Sequence, residues 1–361
     1  MSNKRREFFI SSGIVGLSFL LSNTIKSKAQ DTKSDAFEEA VNQDFIVENA
    51  KNKIIPFGIK PNDKIAITAP ASSTSLLEIT PTIKYYKNAG CQVVVGDTIL
   101  KQKNQFRYLS APDEVRAAEF MNFINDDSIR AIICGRGGYG VSRILRYLDF
   151  EVIMKNPKVI MGFSDITLLL LAINKMTGII TYHGPVASQG VNMFTSNNLK
   201  NTIFDNKKRT LVNSLTNIKV INSGIASGEI VGGNLTMICA SLGTPYEIDT
   251  RDKLLFIEDV SEHAYQVDRM LMQLINAGKI QTAKAIIFNG FKNINSRKPF
   301  FPNKGFTILE VIEQLIKPFG LPLIHNFEFG HEDNMYILPI GINAKIDTEK
   351  KVFELLENPV V

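Results

Sequence analysis

The sequence predicts an α/β protein with two domains, the first built on a parallel sheet and the second smaller. In the first half of the chain, short apolar runs alternate with helical segments, an order typical of parallel sheets covered by helices. Roughly 310 residues also follow the N-terminal signal-like and polar segments, too many for one ordinary core. The predicted boundaries are 64–190 for the first domain, 191–225 for a connecting segment rich in Asn, Ser, Thr and Lys, and 226–361 for the second domain.

The first 29 residues predict a twin-arginine export signal, followed by a spacer over 30–63. Arg5 and Arg6 precede a short apolar stretch, 14–21, and small residues end at Ala29. This stretch is far shorter than the ~20 residues that span a bilayer, so a retained anchor is the weaker interpretation. We therefore expect a cleaved signal, a periplasmic protein and no stable membrane span after cleavage.

Most of the positive charge belongs to that signal. The whole chain has a formal net charge of +5, and the first 29 residues hold five basic residues and one acid, a net of +4. The rest of the chain is therefore nearly neutral, and basic and aromatic residues do not interleave in it. Both observations argue against a nucleic-acid partner.

Five apolar runs in the first domain read as parallel strands, with helical segments such as Pro112–Ile124 between them. We expect a flavodoxin-like sheet with helices on both faces, in which ligands bind at the carboxyl ends of the strands. Two motifs fall at this edge: GRGGYG at 135–140 and GFSD at 162–165. The five runs are KIAITAP, CQVVVG, IRAIICG, KVIMGF and GIITYHG.

Ser164 lies between an apolar strand that ends at Gly162-Phe163 and a long apolar helical segment. A serine at such a strand-to-helix elbow projects its oxygen from the sheet, close to the free N–H groups of the helix start, as a nucleophile requires. The alternative is a helix cap, with Asp165 adding favourable charge to the first turn. Because the second glycine of the G-x-S-x-G elbow is absent, the motif taken alone favours the cap.

GRGGYG matches the G-x-G-x-x-G pattern of dinucleotide sites and precedes a predicted helix over Val141–Leu148. It lies deep in the chain, however, and no acid stands about 20 residues beyond it, so we expect no nucleotide cofactor. We instead expect its backbone N–H groups to face a developing oxyanion. Arg136 within the motif is either a ligand for a substrate carboxylate or an exposed structural arginine.

A serine nucleophile needs a base and an orienting acid. Of the four histidines, His331 opens a polar loop after an aromatic run, and His183, at the end of another apolar run, is its competitor. Glu258 and Asp259 follow a predicted buried strand, Leu254–Ile257. The alternatives are structural histidines and a pair of acids that caps the next helix.

Cys91, Cys134 and Cys239 each lie in or beside apolar segments, without C-x-x-C spacing. Their odd number and spacing argue against a disulfide framework and against a zinc site, and packed thiols are the better interpretation. The His-Glu-x-x-His motif of metallopeptidases is also absent from the sequence. We expect neither a metal nor a cofactor.

Several motifs in register resemble the LD-carboxypeptidases, serine peptidases that include muramoyltetrapeptide carboxypeptidase and the microcin C immunity hydrolases. The motifs follow the family's order, and the resemblance covers Lys64 to Ile346. They are GRGGYGVSRIL (135–145), GFSDIT (162–167), HGP (183–185), GGNL (232–235), FIEDVSEHAYQVDRML (256–271), FGH (329–331) and LPIG (338–341).

The resemblance implies an enzyme that releases terminal D-alanine from short peptidoglycan peptides through an acyl-enzyme. It implies Ser164 as the nucleophile, His331 as the general base and Glu258 as its orienting carboxylate. It also implies an oxyanion hole made by the N–H groups of Gly138 and Asp165. The candidate substrate contacts are Arg136, His183 and Asn234, with His183 either structural or substrate-facing.

Two other functions stay open. One is an amidase that inactivates peptide-nucleotide antibiotics, which fits an exported protein poorly because those toxins act in the cytoplasm. The other is a catalytically idle peptide-binding protein, against which the intact serine, acid and histidine count. The expected partner is a peptidoglycan-derived peptide, and a homodimer is left open.

Overall fold

The computed structural model describes residues 52–101, 108–204, 212–214, 217–291 and 305–361. The predicted signal, spacer residues 30–51 and parts of the connecting segment therefore lie outside the described residues. Within the described ranges, no helix is long and apolar enough to cross a membrane.

Two β-sheets with packed helices make up the described part of the chain. The strands are β1 (Lys64–Thr68), β2 (Gln92–Val95), β3 (Ile129–Cys134), β4 (Val159–Gly162), β5 (Thr181–His183), β6 (Val212–Ser214), β7 (Lys219–Asn222), β8 (Ile225–Asn234), β9 (Leu254–Glu258), β10 (Ala285–Phe288), β11 (Leu323–His325), β12 (Leu338–Ile340), β13 (Asn343–Asp347) and β14 (Val352–Leu355). The helices are α1 (Leu76–Asn88), α2 (Asp97–Leu100), α3 (Asp113–Asn125), α4 (Val141–Ile144), α5 (Phe150–Lys155), α6 (Thr167–Thr177), α7 (Met193–Thr202), α8 (Leu235–Ser241), α9 (Ala264–Asn276) and α10 (Ile308–Leu315).

The first sheet has the strand order β12-β5-β4-β3-β1-β2. Strands β1 to β5 pair in parallel, and β12, from far along the chain, pairs antiparallel with β5. The five parallel strands follow the flavodoxin-like order. The central strands β1, β3 and β4 are mostly apolar and buried, because both faces of such a sheet are covered, whereas the edge strand β2 is partly exposed. The predicted parallel-sheet domain is confirmed, and each of the five apolar runs contains a strand.

The second sheet has the order β6-β14-β13-β8-β9-β10-β11-β7. Its central strands β8 to β11 are parallel, and the flanking strands are antiparallel. Every residue of β9, which reads LLFIE, is buried. The predicted second α/β domain is confirmed, and its sheet is mixed.

Helix α6 lies between the two sheets. Its sequence, TLLLLAINKMT, is apolar around most of its circumference, which is typical of a helix that is covered on several sides. It packs against β4, β5 and β12 of the first sheet and against β8 of the second. Gly178 ends the helix with φ 74°, the left-handed conformation that glycine adopts without cost. The turn that precedes α6 in the chain therefore lies where the two sheets meet.

The helix predicted over Val141–Leu148 is shorter than expected. Helix α4 has four residues and a 3-10 turn, Leu145–Tyr147, follows it. The reason is the start of the next helix, α5. The side chain of Asp149 accepts a hydrogen bond from Val152 N–H at 3.0 Å and thereby caps α5. A capping aspartate favours extended backbone at its own position, which stops the preceding helix.

All three cysteines are buried free thiols. Burial raises the pKa of the Cys134 thiol, which follows from its place at the end of β3 inside the sheet. A thiol held in its neutral form is a poor nucleophile. The predicted packing role of Cys134 agrees with this environment.

Candidate active site

Ser164 occupies a strained turn between β4 and α6. Its φ is 63°, in the left-handed region that residues with side chains rarely adopt. A 3-10 turn, Ser164–Ile166, leads into α6, and neither this turn nor α6 begins with a side-chain cap. Such backbone costs on the order of 1–3 kcal/mol and persists only where the surroundings fix it. Ser164 thus has the geometry of an elbow and not that of a helix cap.

Glycines surround the elbow because any side chain would collide with it. A Cβ atom on Gly162 would lie 2.7 Å from Ile166 Cγ2, and one on Gly137 would lie 2.7 Å from Ser164 Cβ. The glycine loop therefore lies directly against Ser164. Gly138, the next residue of the loop, has φ 94°, which also requires glycine.

Two side chains fix the glycine loop. Ser72 Oγ accepts a hydrogen bond from Tyr139 N–H at 3.1 Å, and Ser72 N–H donates to the Gly137 carbonyl at 3.2 Å. Asp165 Oδ2 accepts from Val141 N–H, at the start of α4, at 2.8 Å. Asp165 is buried, and this burial raises its pKa. Sequence reasoning missed Ser72, whose only signal is its position after the first strand.

Arg116, also missed, supports the same loop from α3. It is fully buried and donates to the carbonyl of Gly140 at 3.0 Å and to the carbonyl of Pro70. An ion pair with Asp113 compensates its charge. The site therefore rests on a buried arginine that no local pattern distinguishes from a surface residue of a helix.

The buried Glu258 and the partly exposed His331 form a pair at the end of β9. Glu258 Oε2 lies 2.5 Å from His331 Nδ1, and Glu258 is fully buried. Burial alone would raise the pKa of Glu258, but the neighbouring His331 and His183 outweigh it and lower that pKa to about 2. Burial would lower the pKa of His331, and the Glu258 carboxylate outweighs this and raises it. The Glu258 carboxylate thus stabilises the His331 imidazolium whenever it forms.

The glycine of the FGH motif allows this close approach. Gly330 has φ 71°, and a Cβ atom there would lie 2.6 Å from Glu258 Cγ. On its other side, the His331 ring packs edge-on against Phe163, with the ring centroids 4.7 Å apart. Because Phe163 immediately precedes Ser164, this contact brings the imidazole to the elbow.

Asp259 faces a different element. It accepts hydrogen bonds from Asn234 Nδ2 at 3.0 Å and from Thr236 N–H at 2.9 Å, at the start of α8. Successive residues of an extended strand point to opposite sides, which separates it from Glu258. Burial and the Glu258 charge raise the pKa of Asp259 to about 6. The two acids do not cap the helix after β9, whose N-cap residue is His263.

The end of β8 docks on the first turn of α6. Asn234 N–H donates to Thr167 Oγ1 at 3.1 Å, and a Cβ atom on Gly233 would lie 2.5 Å from Thr167 Cγ2. The Asn234 side chain is buried and caps α8 through Met237 N–H at 3.1 Å. Thr167, which the sequence reasoning did not single out within GFSDIT, therefore joins the second sheet to the elbow.

The two other predicted substrate contacts differ in exposure. Arg136 is half exposed, and its Nη1 lies 3.5 Å from Glu78 Oε1. His183 is fully buried, and its Nε2 lies 3.9 Å from Glu258 Oε1. The structure thus brings His183 to the Glu258–His331 pair and leaves Arg136 at the surface.

Across the described ranges, no group of three or more His, Cys, Asp or Glu side chains could hold a metal ion. The expectation of metal-free chemistry stays a prediction, and the chelation experiment below tests it.

The chain matches the two domain descriptions of one peptidase family. "LD-carboxypeptidase N-terminal domain" matches residues 65–184, and "LD-carboxypeptidase C-terminal domain" matches residues 227–346. A "Probable murein peptide carboxypeptidase" of Bacillus subtilis (strain 168) is 36% identical over 300 residues, which are 82% of this chain and 92% of the relative. This chain belongs to the LD-carboxypeptidase family.

Solved structures resemble this LD-carboxypeptidase over most of its length. The muramoyltetrapeptide carboxypeptidase from Oxalobacter formigenes is 27% identical, with a TM-score of 0.69 over 81% of this chain and 97% of that one. An MccF-like protein from Bacillus anthracis str. Ames is 26% identical, with a TM-score of 0.74 over 84% of this chain and 99% of that one. The family predicted from the motifs is confirmed, and with it the class of serine-type carboxypeptidases.

Proposed function

We propose that this LD-carboxypeptidase releases the terminal D-alanine of short peptidoglycan peptides through an acyl-enzyme on Ser164. The observation that carries the proposal is the pair of the buried Glu258 and His331, whose Oε2 and Nδ1 lie 2.5 Å apart, with the His331 ring packed against Phe163 at the strained serine elbow. A serine at an elbow, a histidine beside it and a buried carboxylate on one ring nitrogen are the components of serine hydrolysis.

In the proposed first step, Ser164 Oγ attacks the carbonyl carbon of the last peptide bond, and His331 Nε2 takes the hydroxyl proton. Glu258 accepts the Nδ1–H of His331 and stabilises the imidazolium; with a pKa of about 2 it stays ionised throughout. The N–H groups of Gly138 and Asp165 stabilise the oxyanion, and each such donor can lower the barrier by ~3 kcal/mol.

In the proposed second step, the imidazolium gives its proton to the nitrogen of D-alanine, which leaves. Water then attacks the acyl-enzyme ester while His331 takes a proton from it, and the proton returns to Ser164 Oγ as the shortened peptide departs. His331 thus acts alternately as base and acid, which a ring held between Phe163 and Glu258 can do without reorientation.

Two observations support a murein peptide as the substrate. The Bacillus subtilis relative is called a murein peptide carboxypeptidase, and the Oxalobacter formigenes structure is a muramoyltetrapeptide carboxypeptidase. A carboxypeptidase must also recognise a terminal carboxylate. Arg136 in the glycine loop is the proposed ligand, because its Glu78 partner is solvent-exposed and an exposed ion pair opens at little cost.

The test is to incubate the mature protein with muropeptides that differ in their last residue and to follow D-alanine release by mass spectrometry. Ser164→Ala should lower kcat by at least about 10³-fold without loss of the fold. Ser196→Ala, a serine of α7, is the matched control and should behave as the wild type. Chelators should have no effect.

Other outcomes would decide against the proposal. Near-normal activity of folded Ser164→Ala would remove the nucleophile assignment, and activity lost in EDTA and restored by zinc would remove serine catalysis. Cleavage of an aminoacyl-nucleotide amide in preference to every muropeptide would identify an amidase. Peptide binding without any turnover would identify a binding protein.

A further inference from the structure

We propose that His183 is a positioning residue for Glu258: in the enzyme in solution, its Nε2–H donates to Glu258 Oε1 and keeps Oε2 directed at His331 Nδ1. The inference rests on the proposed function, because it assigns a task to a second histidine of the same site. His183 would act on the reaction only through Glu258.

The first argument is that two adjacent buried groups lack partners. Among the described residues, neither ring nitrogen of His183 has a hydrogen-bond partner, and neither does Glu258 Oε1. Both side chains are fully buried, and Nε2 and Oε1 lie 3.9 Å apart. Buried polar groups are nearly always hydrogen-bonded. The separation exceeds a normal N–H···O distance by about 1 Å, so a small closure would pair the two groups.

The second argument is the orientation of the ring. The imidazole makes edge-on contacts with Phe256, Phe329 and Phe163, at centroid distances of 5.1, 6.0 and 6.2 Å. These apolar rings fix its plane and offer it no acceptor, whereas Glu258 Oε1 lies within 4 Å of Nε2. A donor whose orientation is fixed in advance loses little entropy when it forms its bond.

The third argument is its place in the fold. His183 ends β5 of the first sheet and is paired with Gly162, two residues before Ser164. Glu258 ends β9 of the second sheet. A hydrogen bond between them would join the sheet of the nucleophile to the sheet of the carboxylate. It would thereby set the spacing between Ser164 and the Glu258–His331 pair.

Two variants with opposite losses separate this role from simple packing. His183→Phe keeps an aromatic ring in the phenylalanine cage and removes the N–H donor. His183→Gln removes the ring and places an amide N–H near the position of Nε2. If His183 is a donor, His183→Phe should lower kcat about 10- to 100-fold with KM within about twofold, and His183→Gln should restore most of kcat. If it only packs, the phenylalanine variant should be active and the glutamine variant impaired.

The pKa of His331, measured by NMR on labelled histidines, gives a readout that needs no substrate. The acids that act on His331 are Glu258, Asp259 and Glu332, and Glu258 has the largest effect. When Glu258 is no longer held against Nδ1, the pKa of His331 should fall in His183→Phe and recover in His183→Gln. His325→Phe is the matched control, since His325 also ends a strand and stacks on an aromatic ring. It should change neither kcat nor the His331 pKa.

The wild-type protein supplies a further test if the variants do not fold. The proposal requires a proton on His183 Nε2, and ¹⁵N chemical shifts distinguish the two ring nitrogens. A ring protonated only on Nδ1 would overturn the proposal. If no D-alanine is released but the pKa of His331 falls in His183→Phe and recovers in His183→Gln, only the proposed function is refuted. D-alanine release with kcat and the His331 pKa unchanged in His183→Phe would refute the positioning role alone.

Discussion

Glu258 and Asp259 are adjacent carboxylates at the end of β9 whose pKa values move in opposite directions. Contact with histidines lowers the pKa of Glu258 to about 2 despite its burial, whereas burial and the charge of Glu258 raise the pKa of Asp259 to about 6. The difference comes from the strand, which turns one side chain to His331 and the other to the start of α8. Only Glu258 can therefore support an imidazolium.

Exchanging each acid for its amide should show this division. Glu258→Gln should lower kcat about 10³- to 10⁴-fold, because a neutral amide neither holds the His331 tautomer nor stabilises its cation. Asp259→Asn should lower the unfolding temperature and leave kcat within about tenfold, since Asp259 bonds to Asn234 and Thr236. Steady-state kinetics and thermal unfolding of both variants make the comparison. The reverse ranking would show that the family match is one residue out of register.

The pH dependence of kcat/KM should report the raised pKa of His331. The base must be neutral to accept the serine proton, so activity is lost as the pH falls below its pKa. Because Glu258 raises that pKa, the acid limb should lie above the ordinary histidine value of about 6.5. In Glu258→Gln the effect of burial dominates, and the acid limb of the residual activity should move to lower pH. A limb that stays in place would mean that another group titrates.

At the scale of the elements, Gly330 determines how closely the loop that carries His331 approaches β9. Gly330→Ala places a methyl group against Glu258 and should lower kcat by about 10²-fold or more, since small displacements of catalytic groups have effects of this size. Gly320→Ala is the matched control: its φ is 72°, close to the 71° of Gly330, but nothing lies within 4 Å of the added carbon. Both variants should lose roughly 1 kcal/mol of stability from the left-handed backbone. Equal activity of the two would show that the Glu258 contact does not fix the pair.

The elements also show which parts of the site a sequence can reveal. Ser164, Glu258 and His331 could be singled out because each follows an apolar run, but the motif around Ser164 alone favours a helix cap, and the three roles come from the resemblance to the LD-carboxypeptidases. Ser72, Arg116 and Thr167 could not, because their partners come from other strands and helices and leave no local pattern. The mixed pairing of the second sheet was not predictable either, since it depends on β13 pairing antiparallel with β8 and on β14 pairing antiparallel with β13.

At the scale of the whole molecule, the site depends on both sheets. Ser164 and His183 belong to the first sheet and its connections, whereas Glu258 belongs to the second. The antiparallel strand β12 adds a C-terminal segment to the edge of the first sheet, beside β5. Neither half of the chain can therefore complete the site alone. We propose that the chain folds before it is exported, which is the route that a twin-arginine signal specifies.

The proposed export route can be tested on the full-length chain. Replacing Arg5-Arg6 by Lys-Lys should strand the precursor inside the cell, because the twin-arginine route requires the arginines whereas general secretion requires only positive charge. The control replaces Lys26 and Lys28 by arginine. This exchange conserves charge but leaves Arg5-Arg6 intact, so it should leave export unchanged. Cell fractionation and N-terminal sequencing of the exported protein make the measurement. A cleaved signal should give a soluble protein starting near Gln30, whereas a protein with a retained anchor would partition with membranes. Unchanged periplasmic accumulation of the Lys-Lys variant would exclude the twin-arginine route.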